Sequence, residues 1–257
     1  ENYQKAIIYC ENGQFFRGLG LLKEVRENLQ PLTEITGLKP EQLSRVMKIY
    51  RNTDDKLKAI TSSINFEKLN QQQKAKLGQP LRENLEIFVY WLHNGDKVGI
   101  PNVDVNYKLL KGAANINNFD KTDSKGIAKC KVSKVLSAED LCIQANIKFP
   151  DEANLDSLAA VYNILSENKA VVQVVESNFG ENPDVNYLRN AINRELNKTG
   201  FKLIDNTDLI CGNGTDLKAM TPRKLKSKIG EGDIDFVILG KISANQCNKI
   251  QDGFYFA

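Results

Sequence analysis

The hydrophobic positions along the chain change their period near residue 61, which divides the sequence into a helical part and a strand-rich part. Up to about residue 60 apolar residues recur at helical spacing, with Gly13 placed to end a first helix and Pro40 to begin a third. After Thr61 apolar residues alternate with polar ones over short stretches that turn residues separate. We therefore expect residues 1–60 to form a helical domain and residues 61–150 to form an antiparallel β-sandwich.

Five features of the middle part carry the sandwich prediction. Leu85–Leu92 is rich in β-branched and aromatic residues and is followed by an Asn94-Gly95 turn. Val103–Leu109 alternates with one polar face, and Thr122–Gly126 forms a further turn. In Leu141–Phe149 every second residue is apolar, so these residues share one face of a strand.

The last part of the chain returns to a mixed pattern of strands and helices. Pro150–Asn154 is polar and contains proline, so we expect a boundary there and a third domain over residues 151–257. The apolar spacing in Leu155–Leu165 favours a short helix that packs on the rest of this third domain. Val171–Val175 has the composition of a buried strand.

Beyond that strand the pattern predicts a helix ended by Gly200, a strand at Phe201–Ile204, a helix over residues 221–229 and a strand at Asp235–Ser243. This order is typical of a small α/β sheet covered by helices. Because Asp235–Ser243 is almost continuously apolar, we expect it to be a central strand, kinked at Gly240.

Three stretches of the middle part share their pattern with a known class of domain: Gly78-Gln-Pro80-Leu81, Val98–Val105, and Thr122–Ala128 with its Thr-Asp-x-x-Gly turn. They resemble the bacterial immunoglobulin-like modules of envelope and adhesin proteins, over residues 61–149. The resemblance implies a sandwich that serves as a spacer or docking piece.

The C-terminal part has a succession of strands and helices that is also found in a known class of module. Its parts are a strand ending in Glu176–Asn178, a helix closing in Leu196-x-x-x-Gly200-Phe201, a strand ending in Asp205, the strand Phe236–Ser243, and Gly253-Phe254-Tyr255-Phe256. They resemble the α/β module of bacterial outer-membrane assembly lipoproteins, namely the curli secretion family, flagellar proteins of the FlgT type and activators of penicillin-binding proteins. In that family further strand and helix come after the last strand. We therefore expect an incomplete module and a partner-binding edge at Gly253, Phe254, Tyr255 and Phe256.

The first helical pair has a third resemblance. The spacing of Ala6, Tyr9, Gly18 and Leu22, with Pro31 at the end, resembles a single tetratricopeptide unit, which implies stacking with similar pairs. An ordinary amphipathic helix pair is an equally good interpretation.

Composition and charge fit a folded globular protein and give little support to nucleic-acid binding. Of 257 residues, 41% are hydrophobic and 26% are charged, a balance typical of folded domains. The 35 Lys and Arg residues nearly match the 32 Asp and Glu residues, and no long basic run occurs. No apolar run approaches the roughly 20 residues that a membrane-spanning helix needs.

No arrangement of residues matches a catalytic, cofactor or metal signature. His93 is the only histidine, it lies at a predicted strand end, and no Cys-x-x-Cys pair accompanies it, which argues against zinc. Gly18-Leu-Gly20 and Gly212-Asn-Gly214 lack the third glycine of a dinucleotide loop. We therefore assign no catalytic, cofactor-binding or metal-binding residues and expect no cofactor.

The five cysteines leave the disulfide pairing open. Cys211 and Cys247 flank the last predicted helix and strand and are placed to form a disulfide, while free thiols fit equally well. Cys130 with Cys142 is a rival pair, but the two occupy different faces of their predicted strands.

The leading hypothesis is a non-catalytic structural or assembly component of a bacterial envelope complex, associated with a flagellum or with secretion. The resemblances imply a lipoprotein of the periplasm or the periplasmic face of the outer membrane. Its partners would be other envelope proteins in a homo- or hetero-oligomer. Membrane contact is expected only through a lipid anchor, if one precedes Glu1.

Two alternatives remain at this point. One is a ligand- or glycan-binding envelope protein, which exposure of Trp91, Tyr90 and Tyr107 would favour and their burial would exclude. The other is a cell-wall hydrolase, which would need paired carboxyl groups in a cleft. The candidate acids are Asp54 with Asp55, Asp120 with Asp123, and Glu231 with Asp233 and Asp235.

Overall fold

The computed structural model of the protein describes residues 2–35, 37–150, 153, 155–178, 187–204, 220–221, 223–224, 234–244, 248–251 and 254–256. Within these ranges the protein is a mixed α+β structure in which strands outnumber four helices. Three helices precede the first strand, and the fourth lies in the C-terminal part.

The N-terminal helices lie where the sequence predicts them. Helix α1 (Asn2–Glu11) ends before Gly13, whose φ of 75° is the left-handed conformation that glycine adopts without strain. Helix α2 (Phe15–Leu29) is followed by a 3-10 turn at Pro31–Thr33 and then by helix α3 (Pro40–Ser62). The tetratricopeptide likeness of the first pair stays a prediction.

The middle of the chain forms two sheets packed face to face. The first contains β1 (Ile64–Leu69), β3 (Leu85–His93), β4 (Asp96–Gly99) and β8 (Ile127–Cys130). The second has the order β2 (Lys74–Ala75), β11 (Leu158–Ser166), β10 (Leu141–Lys148), β5 (Asp104–Lys111) and β7 (Phe119–Lys121). A short additional pair joins β6 (Ala114–Ile116) to β9 (Val132–Val135).

One continuous core joins the helices to the sandwich. Ile87 and Val89 of β3 and Ile143 of β10 are fully buried, because alternate residues of each strand point between the sheets. Phe15 of α2 enters the same core and lies 5.7 Å from Trp91, measured between ring centroids. The helices therefore pack directly on one end of the sandwich.

The predicted short helix at Leu155–Leu165 is wrong. Residues 158–166 form β11, which pairs antiparallel with β10 and, at its end, parallel with β2. Tyr162 and Ile164 point into the core, so the period of this segment is two. The second sheet of the sandwich therefore continues beyond Pro150–Asn154, where the sequence suggests a boundary.

The C-terminal part contains β12 (Asn168–Asn178), α4 (Tyr187–Lys198), β13 (Phe201–Leu203) and β14 (Phe236–Ala244). The three strands are parallel in the order β13-β12-β14, and α4 packs on β12 and β13. The prediction that Asp235–Ser243 is central is wrong among the described residues, since β12 pairs on both sides and β14 only with β12. Most of the predicted helix at residues 221–229 lies outside the described residues.

Candidate interaction sites

His93, the only histidine, connects helix α1 to strand β3 of the sandwich. Its Nε2 lies 2.8 Å from Oε1 of Glu11 in α1, and its ring lies 4.6 Å from the ring of Trp91. The Asn94 amide lies 3.1 Å from the same nitrogen. These contacts give the histidine a structural role at the end of β3.

Two of the candidate carboxylates have structural partners within the sandwich. Asp120 Oδ2 accepts a hydrogen bond from the Lys129 N–H at 2.7 Å. Asp123 Oδ1 accepts from the N–H groups of Lys125 and Ile127, at 2.8 and 3.1 Å, and so stabilises the turn that begins at Thr122.

A third carboxylate, Asp54, joins two helices. It pairs with Lys58 at 2.7 Å on α3 and with Arg26 at 2.9 Å on α2. The hydrogen bond from Lys58 holds the pKa of Asp54 below its usual value. Such a group remains ionised near neutral pH and is a poor general acid.

The aromatic candidates for a ligand site are buried. Tyr90, Trp91 and Tyr107 expose 8%, 2% and 3% of their surface. A ligand in solution therefore has no aromatic platform at these residues, and this form of the ligand-binding hypothesis is excluded.

Two of the three described cysteines, Cys10 and Cys130, have thiols that burial makes unreactive. Cys10, Cys130 and Cys142 are free, so the rival Cys130–Cys142 disulfide does not form. Burial, with a smaller effect of the Glu11 carboxylate, raises the pKa of Cys10 to about 11, and burial raises the pKa of Cys130 to about 12. Both thiols stay protonated near neutral pH. Cys211 and Cys247 lie outside the described residues.

Neither a metal site nor a membrane-spanning helix occurs in the part of the chain that the structure describes. No group of three or more His, Cys, Asp or Glu residues there is arranged to hold a metal ion. No helix there is both long and apolar enough to cross a membrane. Glu231, Asp233 and Gly212-Asn-Gly214 fall outside the described residues.

Almost no linker separates the sandwich from the C-terminal sheet. We call this connection the joint, which consists of Ser166–Lys169 and the residues that contact them. Strand β11 ends at Ser166, and β12 begins at Asn168. Between them Glu167 donates its N–H to the Ala75 carbonyl at 2.9 Å and pairs with Lys74 at 2.6 Å. The chain therefore leaves one sheet and enters the other within one residue.

Asn168 lies at the centre of the joint and is completely buried. Its Oδ1 accepts from the Leu77 N–H at 2.7 Å, and its amide donates to Ser166 Oγ and to the Ala138 carbonyl. The Ser166 hydroxyl donates to the same carbonyl. Buried polar groups that satisfy one another in this way favour a single arrangement of the two sheets.

Asp235 adds a second connection at the start of β14. Its Oδ1 pairs with Lys76 at 2.8 Å, and its Oδ2 accepts from the Lys169 N–H at 3.0 Å. Its own N–H donates to the Lys169 carbonyl at 3.0 Å. The last candidate acid of the described chain is therefore a structural link between the sandwich, β12 and β14.

Gly200, after α4, brings the C-terminal part against the same joint. Its φ is 92°, and a Cβ there would lie 2.5 Å from the Ala138 carbonyl oxygen. Only glycine fits this conformation and this separation. The end of α4 therefore contacts the segment between β9 and β10 directly.

The predicted interaction edge lies partly within the described residues. Phe254, Tyr255 and Phe256 form β16, which pairs antiparallel with β15 (Asn248–Gln251), while Gly253 is outside the described residues. Strand β14 has no described partner on the side away from β12. Ile242 of β14 is 51% exposed.

The sequence patterns did not indicate Ser166 or Asn168, the buried residues of the joint. A signal for the strand that leads into it was present, because Leu158, Ala160, Tyr162 and Ile164 alternate at the period of a strand. The intervening Ala159 and Val161 are apolar too, and they complete a helical spacing. No local pattern marks Ser166 or Asn168, because their hydrogen-bond partners lie far away in the sequence.

Solved structures that are similar to part of the chain include two from intimin. The D00-D0 domain of intimin has 14% identity and a TM-score of 0.27, over 42% of this chain and 50% of that chain. The D0-D1 domain of intimin has 16% identity and a TM-score of 0.27, over 42% of this chain and 56% of that one. The chain thus matches about half the length of each. No model of a known protein family and no curated protein matches the sequence.

Proposed function

We propose that the protein is a non-catalytic assembly component of a bacterial envelope complex. In this role it holds a helical pair, an immunoglobulin-like sandwich and an α/β sheet in a fixed mutual arrangement. The observation that carries the proposal is the joint, where Asn168 and Asp235 connect two sheets through buried or half-buried hydrogen bonds. A scaffold needs such rigidity, because partners docked on its separate parts must keep their spacing.

The contacts made by the candidate catalytic and ligand-binding side chains support a structural role over an enzymatic one. Asp54 and Asp235 each have an ion-pair partner, His93 lies 2.8 Å from the Glu11 carboxylate, and the aromatic residues lie in the core. In each of these cases the group stabilises contact between elements of the fold.

The cellular setting rests on the sequence resemblances. Bacterial immunoglobulin-like and outer-membrane assembly modules support a place in the envelope, on the periplasmic side, within a flagellar or secretion-associated complex. They also support a lipid anchor ahead of Glu1. In this setting the partners are other envelope proteins, which dock on the free edge of β14 and on the strand Phe254–Phe256, two strands of separate sheets.

Chemical crosslinking in intact cells tests the proposal. The tagged full-length protein, purified from crosslinked cells of the producing bacterium, is expected to bring discrete envelope proteins with it. The variant Ile242→Glu places a charge on the exposed part of β14 and is expected to reduce this recovery severalfold. Ile49→Glu, at a comparably exposed position of α3, serves as the matched control and is expected to leave recovery unchanged.

Recovery of the protein alone, as a monomer, from crosslinked envelopes would contradict the proposal. So would hydrolysis of cell-wall glycan or peptide that Asp235→Asn abolishes without loss of folding, because that result assigns Asp235 a catalytic role.

A further inference from the structure

We propose that the protein has a mechanical function: two segments of the sandwich form a clamp that resists stretching of the chain. The first segment, residues 68–77, runs from the end of β1 through β2, and the second, residues 161–168, runs from β11 into β12. This inference goes beyond the proposed assembly function, because it concerns the tension that the chain withstands, whichever partners bind at its two ends.

The two segments of the clamp are joined near both of their ends. Towards the first end, the half-buried Lys68 donates from Nζ to the Val161 carbonyl at 2.8 Å. At the other end, the Leu77 N–H donates to Asn168 Oδ1 at 2.7 Å. Residue numbers rise together from one contact to the other, so the two segments run in the same direction.

The middle of the clamp is a parallel strand pair. Strand β2 pairs with the last two residues of β11. Glu167 then donates its N–H to the Ala75 carbonyl at 2.9 Å, and its carboxylate pairs with Lys74 at 2.6 Å. Ala75 and Asn168 are fully buried and Ser166 nearly so. Water therefore has little access to replace the central hydrogen bonds when they stretch.

Tension along the chain draws these two segments in opposite directions. The end of α3 lines one cleft with Ile64 and Leu158, the first residues of β1 and β11. The N-terminal segment thus enters the sandwich at the end where β11 begins, whereas β11 leaves into β12 at the opposite end. A pull on the helices and on the C-terminal sheet therefore slides one segment along the other.

Sliding loads the contacts of the clamp together. Hydrogen bonds between strands lie across the strands, so a displacement along the strand axis strains all of them at once. In a strand pair that is pulled open from one end, the bonds break one after another, and each step needs only the force that breaks a single bond. Because forced unfolding is governed by the unfolding rate, the clamp is expected to give high resistance in this one direction.

Single-molecule stretching in two directions tests the inference. The full chain is pulled between tags at its termini, and unfolding of the sandwich is recognised by an extension of roughly 35 nm, the contour length of Ile64–Ser166. For comparison the chain is pulled between handles at Asn94 and Asp156, two exposed residues at the end of the sandwich where β11 begins. We expect the terminal pull to need about twofold more force or above, because the second pull separates the strands bond by bond.

Removal of two side-chain contacts locates the resistance in the clamp. The double variant Lys68→Met/Lys74→Met removes the contacts of these lysines with Val161 and Glu167 and keeps long apolar side chains. Under terminal tension it is expected to unfold about tenfold faster at a given force, because both contacts break in the rate-limiting step. Its rate of unfolding between Asn94 and Asp156 is expected to stay within about twofold of the unchanged chain.

A matched control variant changes the same number of lysines outside the clamp. Lys121→Met/Lys129→Met removes the ion pairs of these lysines with Asp104 and Glu86, at 3.1 and 3.4 Å, between strands that do not belong to the clamp. Its unfolding rate under terminal tension is expected to stay within about twofold of the unchanged chain.

Equal unfolding forces in the two pulling directions would overturn the inference. So would an unchanged rate of Lys68→Met/Lys74→Met under terminal tension, or an equal acceleration in both directions, since the latter reports a general loss of stability. Recovery of crosslinked envelope proteins is measured without applied force, so failure of the clamp leaves the assembly function standing.

Discussion

At the scale of single residues, two buried tyrosines differ in what their hydroxyls do. Tyr162 of β11 donates to the Glu86 carbonyl of β3 at 2.6 Å and so connects the two sheets of the sandwich. The Tyr107 hydroxyl is buried and has no protein partner among the described residues. Burial raises the pKa of both phenols, with a further contribution from Tyr162 at Tyr107, so both remain protonated.

The two hydroxyls are expected to contribute to stability with opposite sign. Tyr162→Phe should lower the free energy of unfolding by roughly 1 kcal/mol, because it removes the hydrogen bond that the Glu86 carbonyl accepts from this hydroxyl. Tyr107→Phe should leave it unchanged or raise it, because it removes a desolvated polar group that nothing satisfies. Urea denaturation of both variants measures the difference. Equal destabilisation by the two changes would contradict the assignment of partners.

At the scale of elements, the contact of α1 with α2 depends on one glycine. A Cβ at Gly18 would lie 2.3 Å from Cys10 Sγ and 2.5 Å from the Ala6 carbonyl oxygen, so no side chain fits between the helices. A Cβ at Gly20 of the same helix would meet nothing within 4 Å. The first glycine is required by packing, whereas the second only weakens the helix.

The two glycines form a matched pair for mutation. Gly18→Ala should destabilise the protein by roughly 1–3 kcal/mol, because overpacking forces α1 and α2 apart. Gly20→Ala should stabilise it by roughly 0.5–1 kcal/mol, the advantage of alanine over glycine inside a helix. Thermal unfolding followed by circular dichroism at 222 nm, a wavelength that reports helix, distinguishes the two. A neutral Gly18→Ala variant would show that the helices are not in close contact.

At the scale of the whole molecule, the joint decides whether the parts act as one body. Asn168→Ala removes the acceptor of the Leu77 N–H and two donated hydrogen bonds, which leaves buried polar groups unsatisfied. We expect a loss of roughly 2–4 kcal/mol in the free energy of unfolding and faster amide exchange at Leu77. Asn163→Ala, at an exposed position of β11, is the matched control and should change neither quantity.

The same variant tests the link between the joint and function. If Asn168→Ala keeps its sandwich folded but loses envelope partners in the crosslinking experiment, rigidity between the sheets is required for assembly. Retention of both stability and partners would show that the joint is dispensable and would remove the main support for the scaffold proposal.

The sequence alone determined the elements whose signals are local. Helices α1 to α3, the turn at Asn94-Gly95 and strands β3, β5 and β10 follow from spacing, from glycines at left-handed positions and from alternation, all of which act within a few residues.

Only the tertiary structure decided how these elements combine. Whether Leu158–Ser166 is helix or strand was decided by the free edge of β10 beside it, since the apolar residues of the segment fit both periods. The joint depends on hydrogen bonds between residues about 30 to 90 positions apart, such as Asn168 with Ala138 and with Leu77. Such partners are brought together by the fold, so no local pattern in the sequence records them.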